Sequence, residues 1–122
     1  MVKTKNTLVL GASLNESRYS NKAIQTLNLN KIKVFAIGKS LGETHGIKIQ
    51  SDFPKDILID TVTIYLNSNF QDQYADRIID LSPNRVIFNP GAENPKLYNL
   101  FLSKGIKCEN SCTLVLLSTK QY

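Results

Sequence analysis

Arg18 is the only arginine among the first 76 residues. It falls in a small-polar segment, Ser13-Leu14-Asn15-Glu16-Ser17-Arg18-Tyr19-Ser20, which follows an apolar run ended by Gly11. A guanidinium so placed can grip a phosphate in forked geometry. Lys39 follows a second apolar run at Gly38 and offers a point charge to a further phosphate. Other chemistry is not assembled. The one histidine, His45, lies in the polar stretch Gly42-Glu43-Thr44-His45-Gly46 and reads as an exposed loop residue, while Cys108 and Cys112 stand four apart. These residues supply neither a four-ligand zinc set nor a Ser-His-Asp or Cys-His arrangement. The two thiols are read as reduced and structural, and no catalytic or metal residue is expected.

The elements that must position the two cations follow from hydrophobic periodicity. Residues 7–10 form an unbroken apolar strand, as expected for the centre of a parallel sheet covered on both sides. Gly11 turns the chain, and a helix begins near Ser20, its expected N-cap, with Ala23, Ile24 and Leu27 on the core side. The start of a helix carries unpaired N–H groups and a positive dipole end, so an anion is favoured there twice over. A second strand, 32–37, runs into a loop over 38–42. Residues 47–49 give a very short strand, expected at the sheet edge. A strand over 61–66 is followed by a helix with Phe70, Tyr74, Ile78 and Leu81 on its apolar side and a Ser68/Gln71 capping box at its start. Pro83 ends that helix. Residues 86–88 form a strand, Asn94 and Pro95 open another helix that Gly105 stops, and a last short strand covers 106–108. The segment 113–117 is poised between helix and strand, with a short helix preferred.

This alternation is the grammar of an α/β fold: a Rossmann-like, doubly wound, mostly parallel sheet in three α/β/α layers. The expected strand order 3-2-1-4-5-6 places the first and fourth strands together at the topological switch point. Ligands bind beyond the carboxyl ends of the strands there. The residues facing that crevice are 11–20, Gly38 and Lys39, residues 65–69, and residues 89–91. Tyr65 reads either as an outward strand tyrosine or as a platform for an adenine.

With 122 residues the chain suits one domain, 1–122, of ordinary globular composition. Its net charge of +5 comes from basic residues scattered singly rather than in runs, which disfavours a nucleic-acid partner. No apolar stretch reaches 18 residues, so a soluble, cytoplasmic protein without a membrane partner is expected. Dinucleotide binding of the usual kind would need three glycines in the first turn, which holds only Gly11 among Ala12, Ser13, Leu14, Asn15 and Glu16. Lys39 also stands where a carboxylate would hold a ribose hydroxyl, and it suits a ligand with an extra ribose phosphate. An NAD(P)-binding oxidoreductase or redox-sensing domain, and an interaction module that has lost its ligand, stand as alternatives.

Several blocks of residues then fit one family. Gly11-Ala12-Ser13 with Asn15, Arg18, Tyr19 and Ser20, the turn at Gly38, Asn89-Pro90-Gly91-Ala92-Glu93-Asn94, and Cys112-Thr113-Leu114-Val115 together resemble the small single-domain CoA-binding proteins. These look like the N-terminal CoA-binding domain of the succinyl-CoA synthetase alpha subunit standing alone. The resemblance implies CoA or an acyl-CoA as the cofactor. The pyrophosphate would lie over Gly11, Ala12, Ser13, Ser17, Arg18, Tyr19 and Ser20, and the adenosine end toward Gly38 and Lys39. Asn67, Pro90 and Gly91 would complete the site. Relatives often carry proline at the position of Leu14 and a basic residue where this chain has Asn67-Ser68-Asn69. The histidine that the synthetase phosphorylates lies in its second domain and His45 is in an unrelated place, so binding without catalysis is expected. The expected partner is a small-molecule nucleotide cofactor, and the sequence leaves a protein partner open.

Overall fold

A computed structural model describes residues 5–122. Leu8, Val9 and Leu10 are apolar in succession because the strand they form, β1 (Thr7–Leu10), is covered on both faces. Leu8 and Leu10 face one core with Val62, Ile64, Val86, Phe88, Ile78 and Phe101. Val9 faces the other, with Ala36, Ile24, Leu27 and Leu117. The two cores are the two interfaces of a three-layer α/β/α sandwich.

The remaining elements are α1 (Tyr19–Leu29), β2 (Val34–Ile37), β3 (Gly42–Thr44), β4 (Ile47–Gln50), β5 (Thr61–Ile64), α2 (Ala75–Leu81), β6 (Arg85–Phe88), α3 (Pro95–Ser103), β7 (Lys107–Asn110) and α4 (Thr113–Ser118). The sheet order is β3-β4-β2-β1-β5-β6-β7. All neighbouring pairs are parallel except β3 with β4. The doubly wound order expected from the alternation of elements is present, with β1 and β5 at the switch point. Its strands end level: Leu10 pairs with both Ile37 and Ile64, and Ile64 with Phe88. The next residue of each strand, Gly11, Gly38, Tyr65 and Asn89, therefore opens onto one shared edge.

Four local expectations are corrected. The loop over 38–42 and the polar stretch after it hide a strand, because Gly42, Glu43 and Thr44 pair with β4 around a two-residue turn at His45 and Gly46. Both turn residues have positive φ, 52° and 78°, which gives the twist a tight hairpin requires. β3, not β4, is consequently the outer strand. Helix α1 starts two residues earlier than expected: Arg18, not Ser20, occupies the N-cap, and Ser20 is buried in the first turn. The helix expected after β5 begins only at Ala75, behind two 3-10 turns at Ser68–Phe70 and Asp72–Tyr74. The Ser68/Gln71 capping box does not form. Gln71 is buried, and its Nε2 donates instead to the Leu66 and Ala92 carbonyls at 2.8 and 2.7 Å, while Asn67 Oδ1 caps the first turn through Asn69 N–H. The α3 start is as expected, with Asn94 Oδ1 accepting from Leu97 N–H at 3.1 Å ahead of Pro95. The segment poised between helix and strand folds as the short helix α4.

Candidate functional site

The level strand ends open into a cleft of about 810 Å³. Its floor is set by how the chain leaves β1. Gly11 and Ala12 both donate their N–H to the Ile37 carbonyl, at 2.9 and 2.8 Å, so the loop folds across the end of β2. At Gly38 a Cβ would stand 2.3 Å from the Ala12 carbonyl oxygen, and only glycine permits that approach. Gly11 adopts φ +94°, a region that side chains disfavour.

Beyond this crossing the loop is tied by its own short polar side chains. Ser13 Oγ accepts from Asn15 N–H at 3.1 Å, and Asn15 Oδ1 accepts from Ser17 N–H and Ser17 Oγ at 3.0 and 2.7 Å. The fully buried Asn21 fixes the loop from behind. Its amide N–H groups donate to the Ser13 carbonyl (2.9 Å) and Thr44 Oγ1 (3.0 Å), and its Oδ1 meets His45 Nε2 at 2.8 Å. Since that Oδ1 can only accept, His45 Nε2 carries a proton. His45 is thus engaged, not an idle loop histidine. The loop reaches α1 with Arg18 exposed and no side-chain cap on the helix; Asn21 N–H donates to the Arg18 carbonyl at 3.1 Å, which leaves the Tyr19 and Ser20 N–H groups to other partners.

Ten of the expected site residues meet in the cleft. Gly11, Ala12, Ser13, Arg18, Tyr19 and Ser20 line it from the β1 side, Gly38 and Lys39 from β2, and Asn67 and Pro90 from beyond β5 and β6. Ser17 and Gly91 do not line it. The Ser17 hydroxyl is spent on Asn15, and Gly91 turns its N–H to Glu93 Oε1 at 2.9 Å. The lining includes two cations, Arg18 and Lys39, and no carboxylate. Lys39 Nζ stands 5.0 Å from the centre of the Phe70 ring, so the turns that follow β2 and β5 meet across the end of β1.

Sequence reasoning missed the wall contributed by the 3-10 turns and by α4. Gln73, Tyr74, Cys112 and Leu114 all line the cleft. A short helix was legible at 113–117, but nothing local says that it returns to pack beside α1 at the switch point. Behind this wall lies a buried polar knot. Asn89 donates to Thr63 Oγ1 (2.7 Å) and the Ile64 carbonyl (2.9 Å) and accepts from Thr113 N–H (2.9 Å), while the Thr63 and Thr113 hydroxyls bond each other at 2.7 Å. Tyr65 is half-buried against the Val9 core rather than turned outward. Its hydroxyl is buried and has no partner among the described residues. Burial pushes that hydroxyl up to about 12. The nearby Thr113 and Thr63 hydroxyls pull the other way, since each keeps bonding capacity beyond the bonds they make to each other and with Asn89.

A cleft lined by two cations and no carboxylate, with an uncapped helix start and glycine-permitted backbone crossings, suits an anionic ligand. Comparison with known proteins points the same way, because residues 5–118 match the CoA-binding domain family. The chain belongs to that family. Among solved structures, an uncharacterized protein shares 36% identity over 99% of this chain and 100% of its own, with a TM-score of 0.94. A protein from Thermus thermophilus shares 16% identity (98% and 91% covered, TM-score 0.87). A hypothetical protein from Pyrococcus horikoshii shares 18% (96% and 84%, TM-score 0.87). The latter two bear on the fold alone. No curated protein matches the chain. Among the described residues no helix is long and apolar enough to cross a membrane, and no group of three or more His, Cys, Asp and Glu side chains could hold a metal.

Proposed function

We propose that this protein binds CoA or an acyl-CoA in the cleft and does no chemistry on it. The observation that carries the reading is the pair Arg18 and Lys39 in a cleft lined by no carboxylate, one at the end of the β1–α1 loop and the other just after β2. CoA presents a pyrophosphate and a separate 3′-phosphate. Arg18, at the uncapped start of α1, holds the pyrophosphate with the help of the helix N-terminus. Lys39 meets the 3′-phosphate beyond β2. Gly11, Ala12 and Ser13 let the phosphates approach the backbone, Tyr19 and Ser20 form the far side of that seat, and Asn67 and Pro90 border the rest of the ligand. A dinucleotide without a third phosphate leaves Lys39 unused, so NAD is a weaker ligand than CoA.

Thermal unfolding with CoA, dephospho-CoA, acetyl-CoA, NAD, NADP and ATP tests this. A ligand at one hundred times its dissociation constant stabilises by about 2.7 kcal/mol. CoA and acetyl-CoA are expected to give such shifts, dephospho-CoA a smaller one, and NAD little. A shift with NAD or NADP and none with CoA would replace this reading with a dinucleotide-binding one. Acyl-CoA esters incubated with the protein are expected to hydrolyse at the buffer rate, and clear turnover would end the non-catalytic reading.

A further inference from the structure

Phe70 is half exposed, although the turn that carries it is locked. Its N–H donates to the Asn67 carbonyl at 2.9 Å. The next residue, Gln71, is buried with its amide satisfied at both ends: Nε2 donates to the Leu66 and Ala92 carbonyls, and Oε1 accepts from Asn94 Nδ2 at 3.2 Å. A buried polar network thus holds an apolar ring at the cleft wall. Burial of the ring does not account for that placement, since half of its surface stays wet.

What faces the ring is a cation. Lys39 Nζ stands 5.0 Å from the Phe70 ring centre, within the range at which the negative face of an aromatic ring attracts an ammonium. Lys39 also leaves a fixed backbone, because Gly38 N–H donates to the Gln50 carbonyl at 3.1 Å and Gly38 is pressed against the Ala12 carbonyl. Among the described residues the lysine makes no ion pair. A lysine carries a strongly hydrated point charge on a flexible four-carbon stem, and bringing that charge to one place costs rotamer entropy. A carboxylate could hold it there but would neutralise it. An aromatic face holds it and leaves both the charge and the N–H donors to a ligand.

We propose that Phe70 is the positioning residue of the 3′-phosphate seat: its ring face holds the Lys39 ammonium at the end of β1 and thereby sets the preference for CoA over dephospho-CoA. This rests on the CoA reading above and adds to it a residue that acts through Lys39. A ring that only walls the cleft, or that stacks on the adenine, affects the two ligands alike, because they differ only in the 3′-phosphate.

Calorimetric titration of the intact protein, Phe70→Leu, Phe70→Tyr and Lys39→Ala with CoA and dephospho-CoA reads the ratio of the two affinities. Wild-type protein is expected to prefer CoA about tenfold, the scale of one charge-assisted contact. Phe70→Leu stays apolar but loses the ring face, and the preference should fall to about threefold. Phe70→Tyr keeps a face and should retain it. Lys39→Ala should abolish the preference, and adding Phe70→Leu to it should change the ratio no further. In the NMR spectrum of unliganded wild-type protein the Lys39 ε-methylene protons should lie upfield of those of the other lysines, shielded by the ring, a reading that needs no variant. A full preference in Phe70→Leu or in Lys39→Ala, a ratio that still changes in the double variant, or unshifted ε-methylene protons would each overturn positioning by Phe70 while leaving CoA binding in place. Equal wild-type affinities for the two ligands would remove Lys39 from the 3′-phosphate and this proposal with it. Failure of both ligands to bind wild-type protein would overturn the CoA reading itself.

Discussion

At the scale of single residues the cleft separates groups by what they lack. Arg18 is exposed, leaves the start of α1 without a side-chain cap and makes no ion pair among the described residues, so removing it should not disturb the fold. Arg18→Ala is expected to weaken CoA by about 1.5 to 3 kcal/mol, roughly tenfold to a hundredfold, with the unliganded melting temperature unchanged. Lysine should restore part of the loss, because it keeps the charge but not the fork. Calorimetry on the three proteins reads this directly, and full affinity in a folded alanine variant would return the arginine to solvent. Tyr65 shows the opposite behaviour. Its hydroxyl stays protonated to about 12 in the folded protein but ionises near 10 once exposed, so above pH 10 the unfolded state sheds a proton that the folded state keeps. Stability should therefore fall as pH rises from 10 to 12, by up to about 2 to 3 kcal/mol from this residue. Denaturant unfolding of wild type and Tyr65→Phe across that range should show a shallower fall in the variant.

At the scale of elements the loop between β1 and α1 is held by contacts far away in sequence. Asn21 links α1 to the Ser13 carbonyl, to Thr44 of β3 and to His45 in the hairpin turn. Replacing it by alanine leaves three buried or half-buried partners unmet, and a loss of about 1 to 3 kcal/mol of stability is expected. CoA affinity should fall with it, because the loop loses its rear support. The crossing of the β1 loop over β2 is stricter still. Gly38→Ala must displace the Ala12 carbonyl, at an expected cost of about 1 to 3 kcal/mol in line with other overpacked sites. Urea unfolding measures both variants, and an alanine tolerated at 38 without loss would mean that the two loops part more easily than their hydrogen bonds to Ile37 indicate.

At the scale of the whole molecule charge and fold separate cleanly. Among the described residues a single side-chain ion pair, Lys96 with Asp72 at 2.7 Å, forms in solvent, where such pairs are worth about 0 to 1 kcal/mol. Salt should thus leave the unfolding midpoint nearly unchanged. Ligand binding should respond strongly, since the net charge of +5 and the two cations of the cleft attract a polyanion through solvent. Affinity for CoA is expected to drop as ionic strength rises from low to molar salt, and a salt-independent affinity would argue against phosphate contacts by Arg18 and Lys39.

What the sequence determined by itself is what local pattern encodes. The doubly apolar run at Leu8–Leu10, the Asn94-Pro95 helix start, the stop at Gly105 and the alternation of strand and helix were all legible, because burial on both faces, capping and backbone freedom act within a few residues. The doubly wound order and its switch point followed from them. Tertiary structure alone decided the rest. Gly42, Glu43 and Thr44 form a strand only because β4 pairs with them. Gln71 leaves its expected cap for the Leu66 and Ala92 carbonyls, because a buried amide must find partners wherever the fold offers them. The return of α4 to wall the cleft has no local signature. Nor has the state of the Tyr65 hydroxyl, since whether a polar group is satisfied depends on every donor and acceptor that the folded chain brings around it, not on its neighbours in sequence.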